Sequence, residues 1–530
     1  MPSTPATSPK QFLWYDYETW GINPARDGIA QFAAVITDAS LNVIGEPFDW
    51  KCKPLPDAVI DPASVMITGL TPDQCDREGL SEWELAKRIN DLMSTPGTCT
   101  VGYNTVRFDD EFTRYLLYRN LIDPYSREWR NHNSRWDLLD VVRLTQALRP
   151  QGIQWPTHPN GDPSFKLEDL SAANGIEHAQ AHDAVSDVLA TIALAKLIRE
   201  RQPKLFEYAL SLRFKHEVRR QLPLESRQPM LHVSGMIPAK QGCLTVEVPL
   251  MEHPDRRNEI IVLDLMEDPG WLLDHNADQI RNWLYSRNED LPEGIVRPPL
   301  RTLHLNRCPM IAPYRMLDQT VSQRFGIDPE RIARHMAILD RWHDLVSLGR
   351  EVFRTVDRPA PADPEHALYQ GFIGDHDRGI LNQIRRNERQ PESWPGLADS
   401  LQDERQQALV FNARARHFPD SLSSNELSQW REQVRTHLTD PDWGSALTHT
   451  QAMAATEHLM QQHPEREDLR QVMNWLVRQQ RHWLQGADPA HETAQTVIVQ
   501  ESSNRPATPP DAAHSKADDD EDDGPQLGLF

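Results

Sequence analysis

Cysteine is scarce: 530 residues contain five, at Cys52, Cys75, Cys99, Cys243 and Cys308. They are far apart, odd in number and never in a Cys-x-x-Cys pair, which argues against a disulfide framework or a thiolate zinc site and for a reducing cytoplasm. No apolar run approaches the ~20 residues that a membrane span requires. The first eleven residues are polar and rich in Pro, Ser and Thr, without the apolar centre of a secretory signal. Residues 1–10 are therefore expected to be a disordered lead. Net positive charge, the usual mark of a nucleic-acid partner, is also missing, since the formal charge is −22. That total speaks to non-specific attraction, whereas local distribution decides binding.

The distribution is uneven. Six consecutive acids, Asp518, Asp519, Asp520, Glu521, Asp522 and Asp523, lie near the C-terminus. Between residues 196 and 227, nine Lys or Arg face four acids. This is either a solvated helical face or a basic track. The 39% hydrophobic content suits a globular protein with real cores, and the length allows roughly three domains of ~150 residues.

The first 200 residues alternate strand-like and helix-like patterns, which predicts an α/β domain. Strands are expected at residues 12–15, 31–37 and 98–103, and helices at 82–93, 110–120 and 182–199. From about 203 to 357, apolar runs separated by Pro and Gly (231–236, 244–250, 259–265, 302–305) suggest a smaller β-rich domain. A Pro-rich break follows at 358–364, and residues 365–485 read as helical. Trp430, Trp443, Trp475 and Trp483 in that region are expected to be packing anchors. Beyond Gly486 the chain turns polar, Pro-rich and acidic, a disordered tail by composition. The working division is 1–10, 11–200, 201–357, 358–486 and 487–530.

Three motifs carry chemistry. Asp16-Tyr17-Glu18 lies where an apolar strand runs out, and residues two apart on a strand face the same way. Paired carboxylates repel unless a cation lies between them, and an all-oxygen set suits magnesium or manganese. Taken alone, the pair is a weak signal and reads first as an exposed strand end. Second, Gly102-Tyr103-Asn104-Thr105-Val106-Arg107-Phe108-Asp109-Asp110 joins a strand to a helix, and Asp109 would serve as an acidic ligand or only as a cap. Third, His182-Asp183-Ala184-Val185-Ser186-Asp187 opens a long apolar helix. Asp187 is its one buriable acid and would require a cation or donor. His182 stands at the helix entrance.

Four acids and a histidine in this order resemble the DEDD exonuclease superfamily, in the subtype whose third motif carries His. The resemblance implies that Asp16, Glu18 and Asp187 are ligands of two divalent ions. It makes Asp109 the fourth acid and His182 the general base. The segments Gln31-Phe-Ala-Ala-Val35, Asn133-Ser-Arg-Trp-Asp-Leu-Leu-Asp-Val141, Ala173-Asn-Gly-Ile-Glu-His178, His232-Val-Ser-Gly-Met236 and Phe411-Asn-Ala-Arg-Ala-Arg-His-Phe-Pro419 extend it to the bacterial exonuclease I family, over about residues 11–485. The implied architecture is an α/β ribonuclease-H-like exonuclease domain, an SH3-like β-rich domain and an all-α C-terminal domain that together hold single-stranded DNA. The implied activity is magnesium-dependent 3′→5′ hydrolysis to nucleoside 5′-monophosphates in DNA repair or recombination, with manganese as a substitute ion. Substrate contacts are expected at Glu18, Phe165, Lys166, Arg114, Tyr125, Trp129, Arg143 and Lys215. Lys166 departs from the family, which commonly has Arg in Pro-Ser-Phe-Arg-Leu; Lys keeps the charge and loses the bidentate fork. Tyr125 and Trp129 are equally readable as packed aromatics. Contact with single-stranded-DNA-binding protein is implied by the family alone.

The chain ends Gln526-Leu527-Gly528-Leu529-Phe530, which resembles the Gln-Leu-x-Leu-Phe motif that docks bacterial repair enzymes on the sliding clamp. Leu and Phe anchors on a flexible tether suit such docking. A bacterial, cytoplasmic monomer is expected. Two alternatives stay open: an RNA-directed or proofreading nuclease with the same chemistry, and an inert clamp-bound DNA scaffold.

Overall fold

The computed structural model describes residues 8–177, 183–342, 344–355, 361, 363–443 and 447–485. His182 and the terminal Gln526, Leu527, Leu529 and Phe530 lie outside the described residues.

The first sheet has the order β3-β2-β1-β4-β5. Its strands are β1 (Gln11–Thr19), β2 (Ile29–Asp38), β3 (Val43–Lys51), β4 (Thr98–Gly102) and β5 (Ser134–Asp137). β1 runs antiparallel to β2 and parallel to β4, and β5 continues the parallel half. β1 is aromatic and buried on both faces, as a central strand covered by helices should be. Leu13, Tyr15 and Tyr17 pack with Leu85, Ile89, Phe112 and Leu116. These come from α1 (Glu82–Met93) and α2 (Asp109–Arg119). Phe12 and Trp14 join the opposite core with Val141, Ala184, Val188 and Ile192. These come from α3 (Leu138–Leu148) and α4 (Ala184–Arg201). The strand reaches Thr19 rather than stopping at Asp16, so period two continues and Asp16 and Glu18 face α4.

The second sheet, order β10-β6-β7-β8-β9, is antiparallel throughout. It comprises β6 (Met230–Val233), β7 (Leu244–Glu252), β8 (Glu259–Asp264), β9 (Leu300–His304) and β10 (Met310–Pro313). Leu231, Val246, Ile261 and Leu303 belong to the same continuous core as Trp14 and Val188. The β-rich part is therefore fused to the nuclease part rather than tethered to it.

The rest is helical. α5 (Glu404–His417), α6 (Ser424–Thr439), α7 (His449–Gln462) and α8 (Glu467–Gln479) carry most of it. Trp430, Val434, Leu438 and Leu476 share a core with Trp20, Val59 and Val65 of the first domain. A buried ion cluster reinforces this seam. The Arg416 guanidinium bonds Asp57 at 2.6 Å and Glu365 at 2.9 Å, and the His437 ring meets Asp57 at 2.9 Å. Burial alone would raise the Asp57 carboxyl, but Arg416 and His437 outweigh it and hold it well below the usual range. All five cysteines are free and buried. Among the described residues no helix is long and apolar enough to cross a membrane.

Candidate active site

Asp16 and Glu18 stand opposite Ala33 and Gln31 of β2, on the face that α4 covers. Asp183 caps that helix, its carboxylate accepting from the Ser186 amide at 3.2 Å, and Asp187 follows in the first turn. Ligand atoms of Asp16, Glu18 and Asp187 all lie within 4.8 Å of one another.

Asp109 arrives from the edge of β1. β4 pairs with β1 only as far as Val101 with Trp14, whereas β1 runs on. The Tyr17 amide donates to Asp109 Oδ1 at 3.1 Å. Asp109 is thus the first residue of α2 but does not serve as its cap. The loop before it is pinned by Asp137, which accepts from the amides of Asn104 and Val106 at 3.0 Å each. Gly102 is required there, because a Cβ would lie 2.0 Å from Thr105 Cγ2 and 2.6 Å from the Tyr15 carbonyl oxygen. Beside the acids is a cavity of about 170 Å³, lined by Asp16, Asp187, Tyr103, Leu167, Val188 and Thr191 among others.

The electrostatics are strained without a cation. Burial, then Asp187, pushes Asp16 up to about 7. Burial, then Asp16, Asp187 and Asp183, pushes Glu18 up to about 9. Burial and then Asp16 raise Asp109 well above the carboxylate range. Among the described residues no Lys or Arg forms an ion pair with Asp16, Glu18 or Asp109. Carboxylates crowded together and driven toward protonation are the donor set that a hard divalent cation stabilises as anions. The residues fit such an ion.

Three family models match in succession: exonuclease over residues 13–195, exonuclease I SH3-like domain over 213–355, and exonuclease I C-terminal domain over 362–482. Exodeoxyribonuclease I of Escherichia coli strain K12 is 43% identical over 429 residues, 81% of this chain and 90% of that protein.

The chain belongs to the exodeoxyribonuclease I family.

A crystal structure of E. coli exonuclease I with a dA16 oligonucleotide superimposes with a TM-score of 0.84 at 39% identity, covering 89% of this chain and 99% of that one. The zinc-bound form of the E. coli exonuclease I complex with single-stranded DNA gives a TM-score of 0.83 at 39% identity, over 90% of this chain and all of that one.

The other residues singled out from the sequence fall into three groups. Phe165 and Arg143 lie close to the acid cleft. Tyr103, which lines the cavity, donates to the Phe165 carbonyl at 2.5 Å, and the Arg143 guanidinium is 5.8 Å from the Phe165 ring. Arg143 is paired with Asp140 at 2.8 Å. It also crowds Gly235, where a Cβ would meet guanidinium nitrogens of both Arg107 and Arg143 at 2.7 Å. Lys166 is exposed, with Glu168 at 3.8 Å. Lys215 is exposed and bonded to Asn258. Trp129 is 63% exposed. Arg114, in contrast, is buried, held by Glu111 at 2.6 Å and Glu128 at 2.8 Å. Tyr125 is half-buried against Phe372 at 5.5 Å.

Sequence reading overlooked Phe372 and Tyr369, which are 82% and 54% exposed and extend the aromatic surface at Tyr125. The available signal was two aromatics flanking Gly371 in a loop. The partners of the 196–227 cations were not legible in the sequence either. Arg219 pairs with Glu252, Arg220 with Glu217, and Arg199 donates to the Ala39 carbonyl. Arg199, Arg219 and Arg220 are thus engaged within the protein.

Proposed function

We propose that this exodeoxyribonuclease I removes nucleotides singly from the 3′ end of single-stranded DNA, releasing nucleoside 5′-monophosphates, in DNA repair or recombination. The observation that carries the reading is the convergence of Asp16, Glu18 and Asp187 within 4.8 Å beside a cavity that Asp16 and Asp187 line. The single-stranded DNA in the E. coli complexes supports the substrate.

Asp16, Glu18 and Asp187 would hold two divalent ions, magnesium with manganese as a substitute. Such a pair of ions, when bound, neutralises charge on the attacking and leaving oxygens of an in-line phosphoryl displacement. Asp109 keeps the Tyr17 amide engaged and so holds the strand between Asp16 and Glu18. His182 takes the proton of the attacking water, a task suited to an imidazole near neutral pH. Phe165 and Glu18 receive the terminal nucleotide. Lys166, Arg143 and Lys215 take phosphates, with Arg114 bracing that surface, and Tyr125 and Trp129 offer rings for stacking upstream bases.

The division 11–200, 201–357 and 358–486 serves as the domain plan, with the tail from 487 as tether. Gln526, Leu527, Leu529 and Phe530 would dock on a sliding clamp, and family kinship extends the reading to single-stranded-DNA-binding protein. Deleting the last five residues should abolish retention on immobilised clamp and leave basal hydrolysis intact. The deciding experiment uses oligonucleotides labelled at either end, in DNA and RNA, with magnesium. Loss of mononucleotides from the 3′ end of the DNA strand is expected. Shortening from the 5′ end, or preference for RNA, would overturn the assignment.

A further inference from the structure

Asp109 and Asp110 are adjacent, yet they reach different partners. Asp109 accepts from the Tyr17 amide. Asp110 accepts from the Tyr15 hydroxyl at 2.9 Å, from Arg127 at 2.7 Å and from Arg135 at 2.8 Å. Tyr15 and Tyr17 flank Asp16 on β1. Two consecutive acids at the start of α2 therefore grip β1 on either side of the residue that faces the cation site. All of this is deep inside the protein: Asp110 is 1%, Arg127 1% and Arg135 5% exposed.

Arg135 extends the grip. One terminal nitrogen holds Asp110 Oδ2, and the other donates to the Asn306 carbonyl at 2.8 Å, in the loop between β9 and β10. Its Nε lies 3.2 Å from Glu128. Glu128 in turn holds Arg114, which bonds the Tyr369 hydroxyl at 3.1 Å. A chain of charges, buried as far as Arg114, thus joins β1 to the loop after β9 and to Tyr369 in the short helical segment Pro364–Gln370.

We infer that Asp110 and Arg135 are positioning residues for the cation site: they fix β1 against the first turn of α2 so that Asp109 meets the Tyr17 amide and Asp16 faces Glu18 and Asp187. This rests on the reading of Asp16 as a metal ligand. Outer residues that orient ligands typically alter metal affinity or activity ten- to a hundredfold when changed. A network that merely adds stability would alter neither in the folded enzyme.

The test is Arg135→Lys in the full chain, since an ammonium keeps the charge but cannot fork between Asp110 and Asn306. Manganese binding to metal-free protein, followed by electron paramagnetic resonance, should weaken about tenfold. The kcat on the p-nitrophenyl ester of thymidine 5′-monophosphate, which needs only the cation site and the terminal-nucleotide pocket, should fall about as much. The KM for a long oligonucleotide should stay within about twofold. Wild-type manganese affinity and kcat in folded Arg135→Lys, alongside lost affinity in Asp16→Ala, would overturn the positioning role alone. Undiminished affinity in Asp16→Ala would overturn the metal reading and this inference with it. Should Arg135→Lys fail to fold, Tyr15→Phe removes one hydroxyl and keeps the ring. A two- to threefold loss of manganese affinity is then expected, at the scale of about one weak hydrogen bond, and no loss would overturn the inference.

Discussion

Asp109 and Asp110 are covalent neighbours, both almost fully buried, and burial pushes both toward the neutral form. Their outcomes are opposite. Asp109 is raised further by Asp16, whereas Arg135, Arg127 and Arg114 overcome burial at Asp110 and hold it well below the carboxylate range. Burial is therefore not what marks a functional acid in this fold. The mark is a set of carboxylates facing one another, of which Asp16, Glu18 and Asp109 have no Lys or Arg ion pair among the described residues. The Asp110 carboxylate is balanced by arginines of the chain, whereas Asp16, Glu18 and Asp187 form a donor set that fits a divalent ion.

The sharpest break in that comparison comes from removing one acid from each side. Asp187→Ala should cost about a thousandfold or more in magnesium-dependent hydrolysis, the scale of removing a principal stabiliser of transition-state charge. Its metal-free melting temperature should change little beside that loss, since Asp187 raises the Asp16 and Glu18 carboxyls. Asp110→Asn should do the reverse to stability. It removes the charge that Arg127 and Arg135 share, and urea unfolding should report a loss of about 3–5 kcal/mol.

The pH dependence should separate the regions next. Asp16 and Glu18 have folded pKa values raised to about 7 and about 9, above an ordinary carboxyl near 4. A raised value means that the folded state keeps protons the unfolded chain releases. Stability from these groups is present below about pH 4 and is lost as pH rises through 7 toward 9. Asp110, Asp57 and Glu365 are lowered, so their contribution is present above about pH 4 and is lost on acidification below it. Metal-free protein should therefore melt at progressively lower temperature from pH 5 to 8. Glu18→Gln should flatten that slope, and a saturating divalent ion should abolish it.

The smallest effect belongs to Lys166→Arg. It restores a bidentate donor at an exposed position, and should lower the KM for an oligonucleotide by no more than about threefold while leaving kcat unchanged.

Much of this was legible in the chain itself. Asp-x-Glu at the end of an aromatic run, Asp187 on an apolar helix and the run of segments resembling exonuclease I point to a three-part nuclease, and the family matches bear out that kinship and fold. Local patterns stop where partners are distant in sequence. Nothing near Asp110 announces Arg127 or Arg135, because the pairs close across 17 and 25 residues. Arg114 reads as a surface cation until Glu128 and Tyr369 meet it. β3 escaped notice because it is largely exposed and carries Gly45 and Pro47, and β10 because it is four residues long and ends in proline.

The most direct test of the central claim is a titration of metal-free enzyme with magnesium at neutral pH, following melting temperature and 3′-end hydrolysis together. Both should rise over the same concentration range in the wild type, and neither should rise in Asp187→Ala. Stabilisation of Asp187→Ala equal to that of the wild type, or hydrolysis that persists in excess chelator, would contradict it.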